Sequence, residues 1–172
     1  MMKDVLRLSM IDQAKLIKKG EISPAELLEE SIQQIEKVNP KINAVVLPMF
    51  DLAREAVSGL SGKEVFSGVP MLLKDVLAEY AGAPMTEGSR FLQGYLSSRD
   101  SELVCRYKAA GFIICGRTNS PEFLTKSTCL GLSSSITAIL YVPRIFYPTT
   151  TLSASLRDNP LSSSAAIREV II

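Results

Sequence analysis

The sequence predicts an α/β fold with a parallel sheet at its core. Three observations carry this reading. A capped helix from Ser101 to about Ala110 ends at Gly111 and runs straight into the apolar segment Phe112–Gly116, the return half of an α/β crossover. A second run, Val69 to Leu73, is nearly continuous in apolar character, closes on Lys74-Asp75 and reads as a strand. Ser23-Pro24-Ala25-Glu26 is a capping box with proline at the first helical position, where its missing N–H costs nothing.

The remaining elements follow from local signals. Ser9 with Asp12 three residues on starts a helix, whose face is Met10, Ala14 and Ile17 and whose stop is Gly20. From Ser23 the spacing of Leu27, Leu28, Ile32, Ile35 and Val38 predicts a helix ended by Asn39-Pro40. Ile42–Leu47 reads as a short strand and Pro48–Val57 as a helix. Gly59–Gly68 is a polar connector, and Ala81–Ser89 is a turn-rich loop. Asp100 is the expected cap of the helix that begins at Ser101.

Composition narrows the function classes. The 172 residues carry 19 basic and 18 acidic side chains, so the chain has no global field to attract nucleic acid or anionic lipid. There is no histidine, which removes Ser-His-Asp triads, Cys-His pairs and histidine metal sites together. Cys105, Cys115 and Cys129 are odd in number and lack C-x-x-C spacing, so they read as incidental thiols in a reducing compartment. No signal-peptide pattern opens the chain and no stretch reaches the roughly 20 apolar residues that span a bilayer. The expectation is a soluble, cytoplasmic protein without cofactor or metal.

Lys74 is the most unusual residue for chemistry. A lysine that closes an apolar strand either sits in a low-dielectric site, where burial disfavours the ammonium form and frees a neutral base, or snorkels into water, paired with Asp75. Thr86, Gly88 and Ser89 either aim donors at a ligand or simply form a turn. Gly111–Gly116 bears glycines but lacks G-x-G-x-x-G spacing, so it is a weak nucleotide loop.

Taken together, the segments resemble the amidase signature family. Gly68-Val69-Pro70-Met71-Leu72-Leu73-Lys74-Asp75 is similar to that family's lysine motif. Gly82–Ser89, Asp100, Ala109-Ala110-Gly111 and Gly116-Arg117-Thr118-Asn119-Ser120-Pro121-Glu122-Phe123 follow in its order and spacing. Ile22–Leu27 and Asn39–Ala44 resemble its N-terminal helices, so the likeness spans about residues 5–123. The Asn119-x-Pro121-Glu122-Phe123 form is more like the general amidases than the aminoacyl-tRNA amidotransferase A subunits.

The resemblance implies an α/β/α fold on a mixed sheet and hydrolysis of carboxamide C–N bonds in small-molecule amides. It also implies a catalytic set of lysine, a bridging serine in a cis peptide and a nucleophilic serine. Lys74 is the one residue of this set that the motifs carry over. The family's glycine–serine stretch has no counterpart here, and Ser162-Ser163-Ser164-Ala165-Ala166 contains no glycine. Leu124 stands where the family usually has glycine or another small residue.

Composition changes at the same point. Residues 124–172 hold 9 Ser and 6 Thr in 49 positions and one glycine of the chain's ten. The sequence therefore predicts an N-terminal amidase-like part at 1–123 and a divergent, poorly ordered tail at 124–172, read as out-of-frame. The fold is expected to be a truncated amidase-type α/β/α sheet, inactive without its serines. The alternatives are a non-catalytic interaction module and an A-subunit-like fragment. An exposed sheet edge is expected to favour self-association.

Overall fold

A computed structural model describes residues 2–124. The chain opens with a single helical turn, α1 (Met2–Val5), followed by α2 (Met10–Lys18) and the long α3 (Pro24–Ile42). Strand β1 (Val45–Pro48), helix α4 (Phe50–Ser58) and strand β2 (Pro70–Lys74) come next. A long loop with a 3-10 turn at Arg90–Leu92 leads to α5 (Glu102–Ala109), then β3 (Ile113–Thr118) and a last 3-10 turn at Glu122–Leu124.

The helix starts form as the sequence dictates. Ser9 Oγ accepts from the Asp12 amide, and Ser23 and Glu26 form the reciprocal capping box with Pro24 in the first turn. Several boundaries differ from expectation: the strand expected at Ile42–Leu47 is Val45–Pro48, and the helix expected from Pro48 starts at Phe50. Helix α3 passes through Pro40 and ends only at Asn43, which takes the left-handed conformation and donates its amide to Asn39 O. Asn39 does not stop the helix; its side chain bridges onto Val45, accepting from the amide at 2.8 Å and donating to the carbonyl at 2.8 Å. The cap of α5 is Ser101, whose Oγ accepts from the Val104 amide. Asp100 instead accepts from the Ala81 amide at 2.8 Å and from Lys108 at 2.6 Å.

The three strands form one mixed sheet in the order β1-β3-β2. The central β3 runs parallel to β2 and antiparallel to β1. The parallel core is thus present, with β1 added in reverse at one edge. Helices α3 and α4 cover one face, packing Leu27, Leu28, Ile32 and Ala53 against Ile113 and Cys115. Helix α2, helix α5 and the loop after β2 cover the other, packing Met10, Val104, Tyr80 and Ala83 against Ile114, Met71 and Leu73. Burial on both faces explains why β2 and β3 read as apolar runs rather than alternating ones.

The β2–β3 register shifts between Met71 and Leu72, where β3 accommodates Cys115 as an extra residue. Beyond the bulge Leu73 lies opposite Arg117 and Lys74 opposite Thr118. The apolar run after Gly111 is interior strand as expected, buried at residues 113–118, so the weak nucleotide-loop reading of Gly111–Gly116 gains no support. The tail expected beyond Leu124 lies outside the described residues, as does Cys129. No helix among the described residues is long and apolar enough to cross a membrane.

Candidate functional site

The parallel strands β2 and β3 both end at one rim of the sheet. In open α/β sheets ligands are held at the carboxyl ends of parallel strands, where loops diverge. Lys74 is the last residue of β2 and is half-buried. Its Nζ donates to the carbonyl of Asn119, 3.5 Å away, just past the end of β3. Among the described residues the amine forms no ion pair.

Asp75 does not pair with Lys74. Successive strand residues point to opposite faces, and Asp75 turns inward, 1% exposed. Its carboxylate accepts from Thr86 Oγ1 at 2.6 Å and from the Thr86 amide at 3.2 Å and 3.3 Å, one contact to each oxygen. Its own amide donates to Thr118 O at 3.2 Å. Behind it lies Arg117, 0% exposed, with Nε 3.9 Å from Asp75 Oδ1. Burial pulls the Arg117 guanidinium below its usual range, and the neighbouring Asp75 and Glu79 carboxylates oppose that shift. Nε, Nη1 and Nη2 of Arg117 have no hydrogen-bond partner among the described residues. The negative charge of Asp75 is therefore central to keeping that cation inside, and breaking such a buried pair costs about 3–5 kcal/mol.

The loop expected to present donors is held against the rim. Gly88, at φ +69°, sits so close to the main chain after β3 that a Cβ there would lie 2.4 Å from Ser120 O. Ser89 Oγ donates to Glu122 Oε1 at 2.8 Å, and the Phe123 amide donates to Glu87 O at 2.9 Å. Thr86 and Ser89 thus commit their hydroxyls to carboxylates within the protein, so the turn-forming reading describes them. The buried Ser120 Oγ has no partner among the described residues.

Backbone strain gathers at the same rim. Leu77 (φ 57°), Glu87 (φ 50°), Phe123 (φ 46°) and Leu124 (φ 57°) all occupy the left-handed region, which non-glycine residues populate at a cost. Leu77 lies three residues beyond Lys74 and its amide faces Glu87 Oε1 at 3.4 Å. The left-handed backbone at Leu124 is one that glycine adopts freely.

Of the predicted residues, Lys74 falls at the rim with the loop of Thr86, Gly88 and Ser89. The sequence offered Asp75 only as a partner of Lys74, and Arg117 and Ser120 only as members of a motif. A signal for Arg117 was available, since a charged residue stands inside the run Phe112–Thr118, whose other members are apolar or small. Among the described residues no cluster of three or more Cys, Asp or Glu side chains is arranged to hold a metal ion.

Comparison with known proteins agrees with this layout. The Amidase family matches residues 26–137. The 6-aminohexanoate-cyclic-dimer hydrolase of Pseudomonas sp. (strain NK87) is 42% identical over 118 residues, which are 67% of this chain and 24% of that protein. A solved structure of 6-aminohexanoate cyclic dimer hydrolase superimposes with a TM-score of 0.69 at 40% identity, covering 72% of this chain and 26% of the other. The structure of a bacterial aryl acylamidase of the amidase signature enzymes superimposes with a TM-score of 0.66 at 31% identity, covering 71% of this chain and 27% of that one. The chain spans about a quarter of the length of the relatives it matches. The matched region takes in both strand ends that meet at Lys74, and with it the chain belongs to the amidase family.

Proposed function

We propose that this chain is the lysine-bearing portion of an amide hydrolase, with Lys74 as its general base. The observation that carries the reading is the position of Lys74. Its amine is half-buried at the carboxyl end of a parallel strand, free of any ion pair among the described residues, and set against Asn119 O. A base must hold a lone pair where a hydroxyl can reach it, and a lysine locked to a carboxylate cannot serve.

The chemistry follows from that role. Lys74 Nζ accepts a proton passed from a nucleophilic serine hydroxyl through a bridging serine. The serine oxygen bonds to the amide carbonyl carbon, the C–N bond breaks, and the nitrogen leaves with a proton. Water then cleaves the acyl–oxygen ester. Neither serine is assigned within these 172 residues, so we infer that they do not complete this cycle alone.

Two measurements test the reading. The purified chain with a panel of simple carboxamides should show no turnover above blank, and turnover abolished by Lys74→Ala would overturn the inactive assignment. Residues 1–124 joined to the following part of the Pseudomonas hydrolase should hydrolyse the cyclic dimer of 6-aminohexanoate. Lys74→Ala in that chimera should remove the activity, and an active Lys74→Ala chimera would refute the base assignment.

A second reading, a non-catalytic module, is favoured by β2. Its outer edge pairs with no strand among the described residues, although its sequence is that of an interior strand. A defined stoichiometry in light scattering would support the module, whereas heterogeneous aggregates would support an enzyme portion with uncovered surface.

A further inference from the structure

We propose that Arg117 is a positioning residue for Lys74, acting through the carboxylate of Asp75. The inference rests on the reading of Lys74 as a base and extends it to the groups that fix its place.

Arg117 occupies an interior strand position where an apolar side chain of similar volume would pack without desolvating a charge. The bulge at Cys115 is what brings it opposite Leu73. That places Nε 3.9 Å from Asp75 Oδ1, with no other ion pair to Arg117 among the described residues. Asp75 is then held at three points: by the guanidinium, by both donors of Thr86, and by its amide on Thr118 O. Lys74 is the residue directly before it, and the Lys74 carbonyl accepts from the Val76 amide at 2.8 Å. With the peptide on the Asp75 side pinned, the Lys74 backbone has little freedom to turn, and its amine is delivered to Asn119 O. A bulge that re-aims one charged side chain beside a candidate site is a common use of that irregularity.

The test uses the full chain with Arg117→Met and Arg117→Lys. Two local readouts are followed, amide hydrogen exchange at Thr86 and acetylation of the Lys74 amine by acetic anhydride. The controls are exchange at Ile114, inside β3, and acetylation of Lys15, whose side chain is 64% exposed. Arg117→Met should speed exchange at Thr86 by about tenfold and acetylation of Lys74 severalfold, with both controls unchanged. Arg117→Lys, which keeps the charge, should restore most of the protection. Asp75→Asn is the second variant, and it should reproduce both local changes.

Wild-type rates at Thr86 and Lys74 in a folded Arg117→Met chain would overturn the proposal. So would a rise shared equally by the controls, or unfolding of both Arg117→Met and Asp75→Asn, because the pair would then be a determinant of the whole fold. Neither readout needs turnover. An active Lys74→Ala chimera with the expected labelling here would refute the base assignment and leave the positioning geometry standing.

Discussion

Thr86 gives both of its donors to Asp75, the hydroxyl at 2.6 Å and the amide at 3.2 Å to the nearer oxygen. This ties a loop to a strand end eleven residues earlier in the chain. A hydrogen bond to a charged acceptor is worth about 1.5–3 kcal/mol. Thr86→Val keeps the shape and removes the hydroxyl, so it should destabilise the chain by about that amount. Thr86→Ser should recover most of the loss. Urea midpoints at constant m-value measure both.

Gly88 and Gly82 offer a matched pair. Both have positive φ, +69° and +77°, so an alanine at either pays for the left-handed conformation. A Cβ at Gly82 meets nothing within 4 Å, whereas one at Gly88 lies 2.4 Å from Ser120 O. Gly82→Ala should therefore cost about 1–2 kcal/mol, the backbone term alone. Gly88→Ala should cost about 1–3 kcal/mol more, the overpacking term. It should also loosen the Glu87–Phe123 contact, seen as faster exchange of the Phe123 amide. Equal costs at the two positions would show that the loop does not press on the end of β3.

What the sequence made legible is what local chemistry decides. The box at Ser23 and Glu26 closes within one helical turn, and the strand at 113–118 follows from an apolar run after Gly111. Lys74 was legible for the same reason, as a charge at the end of such a run. Two of the errors have a common cause, a side chain drawn to a partner outside its own turn. Asp100 reads as a cap, yet its two oxygens go to Ala81 and Lys108. Asn39 reads as a stop, yet it joins the helix and bonds across to Val45. The group around Asp75 was invisible for this reason. It assembles residues 75, 86 and 117, and the placement of Arg117 depends on a bulge that no periodicity announces.

The capping box yields a local prediction. Ser23 Oγ accepts from the Glu26 amide at 3.2 Å while Glu26 accepts from the Ser23 amide at 2.8 Å. Ser23→Ala should lower stability by about 1 kcal/mol, the usual worth of a cap. The Ser23 hydrogen bonds hold the Glu26 carboxyl below its ordinary value. A lowered carboxyl contributes stability that is present above its unfolded value and lost as pH falls through the folded one. The difference between wild type and Ser23→Ala should therefore narrow as pH is taken from about 6 toward the acid limb, measured by thermal midpoints.

Cys115 and Cys105 should separate cleanly by reactivity. Cys115 is wholly buried in β3, where its Sγ donates to Met71 O at 3.4 Å, and Cys105 is exposed on α5. Burial pushes the Cys115 thiol up to about 12 from an ordinary 9.0. The thiolate is the nucleophile, so a buried thiol with so little of it is inert. Iodoacetamide at about pH 8 should alkylate Cys105 in the native chain and leave Cys115 unmodified until denaturant is added, as read by peptide mass spectrometry. The same shift sets an alkaline limb. The folded chain retains the Cys115 proton above pH 9.0, where the unfolded chain loses it, so this contribution to stability is complete below about pH 9.0 and declines toward pH 12. Cys115→Ala should flatten that part of the decline while lowering stability at neutral pH through the lost packing. Native alkylation of Cys115 at the rate of Cys105 would mean that β3 opens at its centre, and the parallel pair that carries Lys74 would not hold it in a fixed place.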